Sequence, residues 1–168
     1  MKAIIYTSNT GSTAEYAQLL GKELNLPVHS LQQAKNKVPA GSEIIYLGWI
    51  MAGGIKGYKE AAKLYKVRAV CGVGMGQTGT QLKEVRDKNA IPQRNPLFTL
   101  QGNFDVKKLH GVYRFMMNVM VKTAGKGLAN KTDRTPEEDD MLDMMVNGGK
   151  RVSLQNLKAV TEWYKSIN

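Results

Sequence analysis

Directly after an apolar N-terminal run, Ser8, Asn9, Thr10, Gly11, Ser12 and Thr13 put four hydroxyls and a glycine into one short turn. Where such a turn opens a helix, the first backbone N–H groups lack intrahelical acceptors and the helix dipole is positive, so the place suits an anion, above all a phosphate. Gly11 lets the backbone come close to it. The turn carries no lysine and GxxxxGK[ST] is absent, so a nucleoside-triphosphate loop is not expected. The competing reading is structural, with Ser12 capping the helix that follows. The two readings are compatible, since a capped turn rich in hydroxyls still offers its N–H groups to an anion.

Two more glycine-rich turns follow apolar runs. Gly74, Met75, Gly76, Gln77, Thr78 and Gly79 fit GxGxxG. A dinucleotide fingerprint belongs after the first strand of its unit and wants an acid about 20 residues on. Here that position holds Leu97, Phe98, Thr99 and Leu100, so we expect a flexible glycine loop contacting whatever the first turn anchors. Between the two lies GWIMAGGIKGY, residues 48–58, where Trp49 and Tyr58 offer aromatic faces for stacking. Ile50, Met51, Ala52, Gly53 and Gly54 supply a backbone free to mould to a flat ligand, while partial burial in the core is the alternative for either aromatic.

No catalytic side chain or metal site is expected. His29 and His110 are isolated, Asp139 and Asp140 read as the solvated start of an acidic helix, and Cys71 follows an apolar strand as a small buried hydrophobe.

The elements that must position these turns alternate along the chain. Residues 3–6, 27–28, 44–47, 67–73 and 97–100 read as five strands, with helical patterns over 13–24, 58–65 and 80–88 between them. Strand, helix, strand repetition implies an α/β fold, a parallel doubly wound sheet with helices on both faces. A helical insertion over about residues 103–150 follows the fifth strand. In it Leu109, Val112, Tyr113, Met116, Val119 and Met120 fall on one helical stripe. Thr135 then caps a second helix, with Pro136 first, Glu137 and Glu138 in the first turn, and Gly148 and Gly149 ending it. Residues 154–167 read as the last helix, capped by Ser153. No repeat or linker divides the chain, so residues 1–168 are expected to form one domain.

A chain of 168 residues can bury roughly 70% of its unfolded surface without staples. One cysteine excludes a disulfide framework, the N-terminal apolar run is too short for a signal peptide, and no segment approaches a membrane span, which together suggest a cytoplasmic protein. The net charge of +10 is concentrated in residues 61–132, where 13 basic side chains face 3 acidic ones. Such a segment favours acidic partners or anionic surfaces. Phe98, Phe104, Tyr113 and Phe115 do not alternate with basic residues on a strand face, so a nucleic-acid platform is not expected.

SNTGST resembles the S/T-x-T-G-x-T phosphate loop of the flavodoxins, and the architecture resembles theirs over the whole chain. The resemblance implies a five-stranded sheet in the order 2-1-3-4-5 with FMN at the switch between strands 1 and 3. It implies that Ser8 to Thr13 bind the FMN phosphate while residues 48–58 and 72–79 bound the two sides of its ring. It further implies electron transport through the flavin, toward a redox partner protein or a small electron acceptor, for which the basic middle segment favours acidic character. Two features depart from ordinary flavodoxins, the basic middle and the insertion. Tyr113, Arg114, Phe115, Met116 and Met117, with the apolar and lysine-bearing continuation to Lys122, resemble the menaquinone-dependent protoporphyrinogen oxidases. That likeness implies an alternative, an FMN-dependent dehydrogenase or quinone reductase, with the basic insertion contacting the inner face of a membrane.

Overall fold

Neighbouring residues on a strand face opposite ways, and in the first strand both ways are apolar: Ala3 and Ile5 join one buried cluster and Ile4 the other. A sheet apolar on both faces needs cover on both. The computed structural model describes residues 1–103 and 111–167. Strands β1 (Ala3–Thr7), β2 (Val28–Ser30), β3 (Glu43–Met51), β5 (Lys66–Gly74) and β6 (Leu97–Gln101) pair in parallel in the order β2-β1-β3-β5-β6. This is the expected 2-1-3-4-5 order, with a two-residue strand β4 (Gly54–Ile55) added antiparallel to β3.

Helices α1 (Ser12–Leu24) and α7 (Lys158–Ser166) cover one face, where Tyr16, Ala17, Leu20 and Val160 are buried against Ile45, Leu47 and Cys71. Helices α2 (Leu31–Lys37), α3 (Tyr58–Leu64) and α4 (Leu82–Asn89) cover the other through Leu31, Ala34, Tyr58, Ala61 and Val85. Helix α2 was not expected, because LQQAKNK buries only Leu31 and Ala34. Its sequence signal is the capping box, in which Ser30 Oγ accepts from the Gln33 N–H and the Gln33 side chain accepts from the Ser30 N–H, each at 3.2 Å.

The insertion supplies α5 (Gly111–Asn130) and α6 (Pro136–Asn147) between β6 and α7. Thr135 caps α6 with Pro136 first, as expected, and Glu138 completes the box. The Arg134 guanidinium closes the other end of the connection, Nη1 donating to the carbonyls of Leu128 at 3.0 Å, Ala129 at 3.2 Å and Lys131 at 2.7 Å. Of the expected stripe, Leu109 lies outside the described residues, as do His110 and Phe104. Val119 is 45% exposed and Phe115, one turn before it, 68%. Among the described residues no helix is long and apolar enough to cross a membrane. The last helix corrects its expected start: a 3-10 turn over Gln155–Leu157 precedes α7, and Leu157, not Ser153, holds the cap position with no side-chain bond.

Candidate functional site

Because β1, β3, β5 and β6 run parallel, the turns that follow them leave the sheet at one edge, and chain order reverses where β1 lies between β2 and β3. The structure therefore brings the three expected turns to one edge, together with a fourth at Gly102 and Asn103.

The first turn departs from the expected cap. Gly11 holds the cap position of α1 at φ +105°, and among the described residues no side chain caps the helix start. Ser12 is already helical, and its Oγ accepts from the Asn103 N–H at 3.0 Å, across to the turn after β6. No atom of the described residues lies within 4 Å of where a Cβ on Gly11 would stand. Ser8 Oγ is buried and is the one such side-chain polar atom without a hydrogen-bond partner among the described residues. Native folds rarely leave a buried hydroxyl unmet, at a cost of about 1–3 kcal/mol. An uncapped helix start, an open glycine and an orphaned hydroxyl are the donor set a phosphate oxygen would satisfy. Asn9 is exposed, Thr10 half-buried and Thr13 buried.

Residues 48–58 correct the expectation of a pliable loop. They fold into a β3–β4 hairpin, with Ile50 opposite Ile55 and Met51 opposite Gly54, and a two-residue turn of Ala52 (φ +47°) and Gly53 (φ +75°). Both turn residues are left-handed, as the right-handed twist of a tight hairpin requires. Asn89 of α4 holds it down: its Oδ1 accepts from the Ile55 N–H at 2.7 Å and its Nδ2 donates to the Gly53 carbonyl at 2.8 Å. Ile50 lies over β5, where a Cβ on Gly72 would stand 2.8 Å from Ile50 Cδ1, so this glycine provides packing room rather than mobility. Tyr58 is 5% exposed and packs on Tyr46 with ring centroids 6.3 Å apart, which places it in the core and not at the mouth. Trp49 stays half-buried at the edge, with the Lys56 ammonium 5.7 Å from its ring centroid.

The turn after β5 is bonded to β6 at its far end, over Thr78, Gly79 and Thr80. The Gly79 N–H donates to the Thr99 carbonyl at 3.0 Å, Thr99 Oγ1 donates to the Thr80 carbonyl at 2.7 Å, and the Gln101 N–H donates to Thr78 Oγ1 at 3.0 Å. β6 thus fixes Gly79 and the two threonines that flank it. Met75, Gly76 and Gln77 are half-buried, and Gly74 still belongs to β5.

Polar residues that no local pattern marks hold these turns together. Asn103 Oδ1 accepts from the Arg151 and Val152 N–H groups at 2.7 and 2.9 Å, and Tyr16 Oη donates to the Gln101 carbonyl at 2.6 Å. Asp140, expected in solvent, is bonded to Gln101 and Arg151. Under β1 the Thr7 hydroxyl donates to Tyr46 Oη, which donates to the Lys56 carbonyl, each at 2.7 Å. Burial holds the Tyr46 phenol far above its ordinary pKa, so it remains a donor. Cys71 is buried as expected, and burial pushes its thiol up to about 12, which keeps it inert.

A family model described as the flavodoxin domain matches residues 3–131, from the first strand to the end of α5, and takes in every one of these turns. Nothing in the match singles out the protoporphyrinogen oxidases. Neither the curated proteins nor the solved structures provide a match.

Proposed function

Because this chain belongs to the flavodoxin-domain family, we propose that it binds FMN non-covalently and carries electrons through it between partners. The observation that carries the reading is the buried Ser8 hydroxyl, which has no partner among the described residues, beside a helix start that none of their side chains caps. When bound, FMN supplies the one- and two-electron chemistry, and the protein supplies binding and electrostatics. Ser8, Asn9, Thr10, Gly11, Ser12 and Thr13 form the phosphate end, the last two chiefly through backbone N–H groups. Trp49 and residues 50–54 border the ring on one side and residues 74–79 on the other, while Tyr58 supports the hairpin from below. Lys56 beside Trp49 places a positive charge at this edge, which favours a ligand that gains electrons. The basic middle segment favours an acidic redox partner or a small acidic acceptor.

Titration with FMN tests this directly, through quenching of flavin fluorescence and a shifted flavin absorption band. Thr10→Val is expected to weaken FMN roughly tenfold and to leave riboflavin nearly untouched, since it removes a donor to a charged phosphate. A protein indifferent to FMN would end the reading, and equal losses for both flavins would move the first turn's role from phosphate to ring.

A second reading draws on Phe115 and Val119, exposed one turn apart on α5 with Lys122 and Lys126 exposed beyond them. An apolar and basic face of this kind suits an anionic membrane surface, as in an FMN-dependent dehydrogenase or quinone reductase of the protoporphyrinogen oxidase type. On this reading the protein floats with vesicles containing anionic lipid, and Phe115→Ser reduces flotation several-fold. Failure to float at physiological salt removes it.

A further inference from the structure

Two hydrogen-bond paths leave the inserted helix α6 at Asp140 and end on two of the turns described above. On the first, Gln101 Nε2 donates to Asp140 Oδ2, and the Gln101 N–H donates to Thr78 Oγ1 at 3.0 Å. On the second, Arg151 Nη2 donates to Asp140 Oδ1 at 3.2 Å, the Arg151 N–H donates to Asn103 Oδ1 at 2.7 Å, and the Asn103 N–H donates to Ser12 Oγ at 3.0 Å. The Asp140 side chain is 25% and its Arg151 partner 30% exposed, so these charge-assisted bonds are partly shielded from the screening that weakens surface pairs. Asp143 pairs with the same guanidinium at 3.1 Å but is 52% exposed, and the Gln101 path does not run through it.

We infer that Asp140 is a positioning residue: through Gln101 and Arg151 the inserted helix holds the turns after β5 and β1 in register. Its consequence for flavin rests on the reading of those turns as an FMN site, whereas the coupling itself concerns only this chain's own bonds. The insertion is then part of the site's support rather than an appendage. Loosening α6 loosens both turns together.

Amide hydrogen exchange on the protein without added flavin, followed by FMN titration, tests this. In Asp140→Ala the Gln101 and Asn103 amides exchange roughly tenfold faster or more, as expected for loss of a shielded charge-assisted bond, and FMN affinity falls by a similar factor. Asp140→Asn keeps an acceptor for Gln101, so it restores protection at Gln101 and less at Asn103. Asp143→Ala leaves the Gln101 amide at its wild-type rate. Unchanged exchange in Asp140→Ala overturns the inference, as does equal acceleration in Asp143→Ala. Acceleration that extends to the β1 amides also overturns it, because Asp140 would then be a general structural prop. Wild-type protein that ignores FMN refutes the proposed function instead, and leaves the exchange pattern to decide the coupling.

Discussion

Ser8→Ala is expected to leave the flavin-free protein as stable as wild type, or slightly more so, while weakening FMN roughly 10- to 100-fold. The signs differ because one atom plays two parts. Without ligand, Ser8 Oγ is a buried polar atom with no partner among the described residues, so removing it takes away a desolvation cost and breaks none of the described bonds. On the proposed reading, the same hydroxyl would donate to a charged phosphate oxygen of bound FMN, a bond worth about 1.5–3 kcal/mol. Riboflavin, which has no phosphate, should bind both proteins alike. Urea unfolding without flavin and fluorescence titration with each flavin give the three numbers needed. A clear loss of stability without flavin would show that the hydroxyl has a partner in the fold, and an unchanged FMN affinity would detach it from the phosphate.

That turn was legible in the sequence because its signal is local: hydroxyls, glycine and the end of an apolar run fall within six residues. The sheet was legible for the same reason, since β-branched runs and intervening helical patterns are short-range features, and the parallel order follows from their alternation. What escaped lies in long-range pairs. The hairpin over 48–58 reads as backbone free to mould to a ligand because its glycines are visible locally, while its fastening, Asn89, comes more than 30 residues later. Gln101, Asn103 and Asp140 look like ordinary surface polar residues until the fold brings them beside Thr78, Ser12 and Arg151. Ser12 misled differently. A serine before a helix is a good cap by type, but the left-handed Gly11 takes the cap position and rotates Ser12 toward β6. Tyr58 was ambiguous by type alone, because an aromatic beside glycines suits a stacking face and a core position equally.

The largest loss of stability is expected from Gly57→Ala. Gly57 stands at φ +79°, where an alanine costs about 1 kcal/mol relative to glycine. An added Cβ would also press directly on Tyr46 Oη and Thr7 Oγ1, and lie 3.2 Å from Leu31 Cδ2. Overpacking of this kind costs about 1–3 kcal/mol, for a total of about 2–4 kcal/mol, a large share of the stability of a typical domain. The damage should reach the site, because Thr7 is the residue before Ser8 and its hydroxyl donates to Tyr46. FMN affinity is therefore expected to fall together with the urea midpoint, unlike in Ser8→Ala. Tyr46→Phe alone should cost about 1 kcal/mol by leaving the Lys56 carbonyl and the Thr7 hydroxyl without their partner. In the Gly57→Ala background it should cost less or even restore stability, because it removes one of the atoms the new methyl strikes. A double-mutant cycle that proves additive within about 0.5 kcal/mol would show that contact with Tyr46 does not set the requirement for glycine at this position, leaving it to backbone strain and the crowding against Thr7 and Leu31.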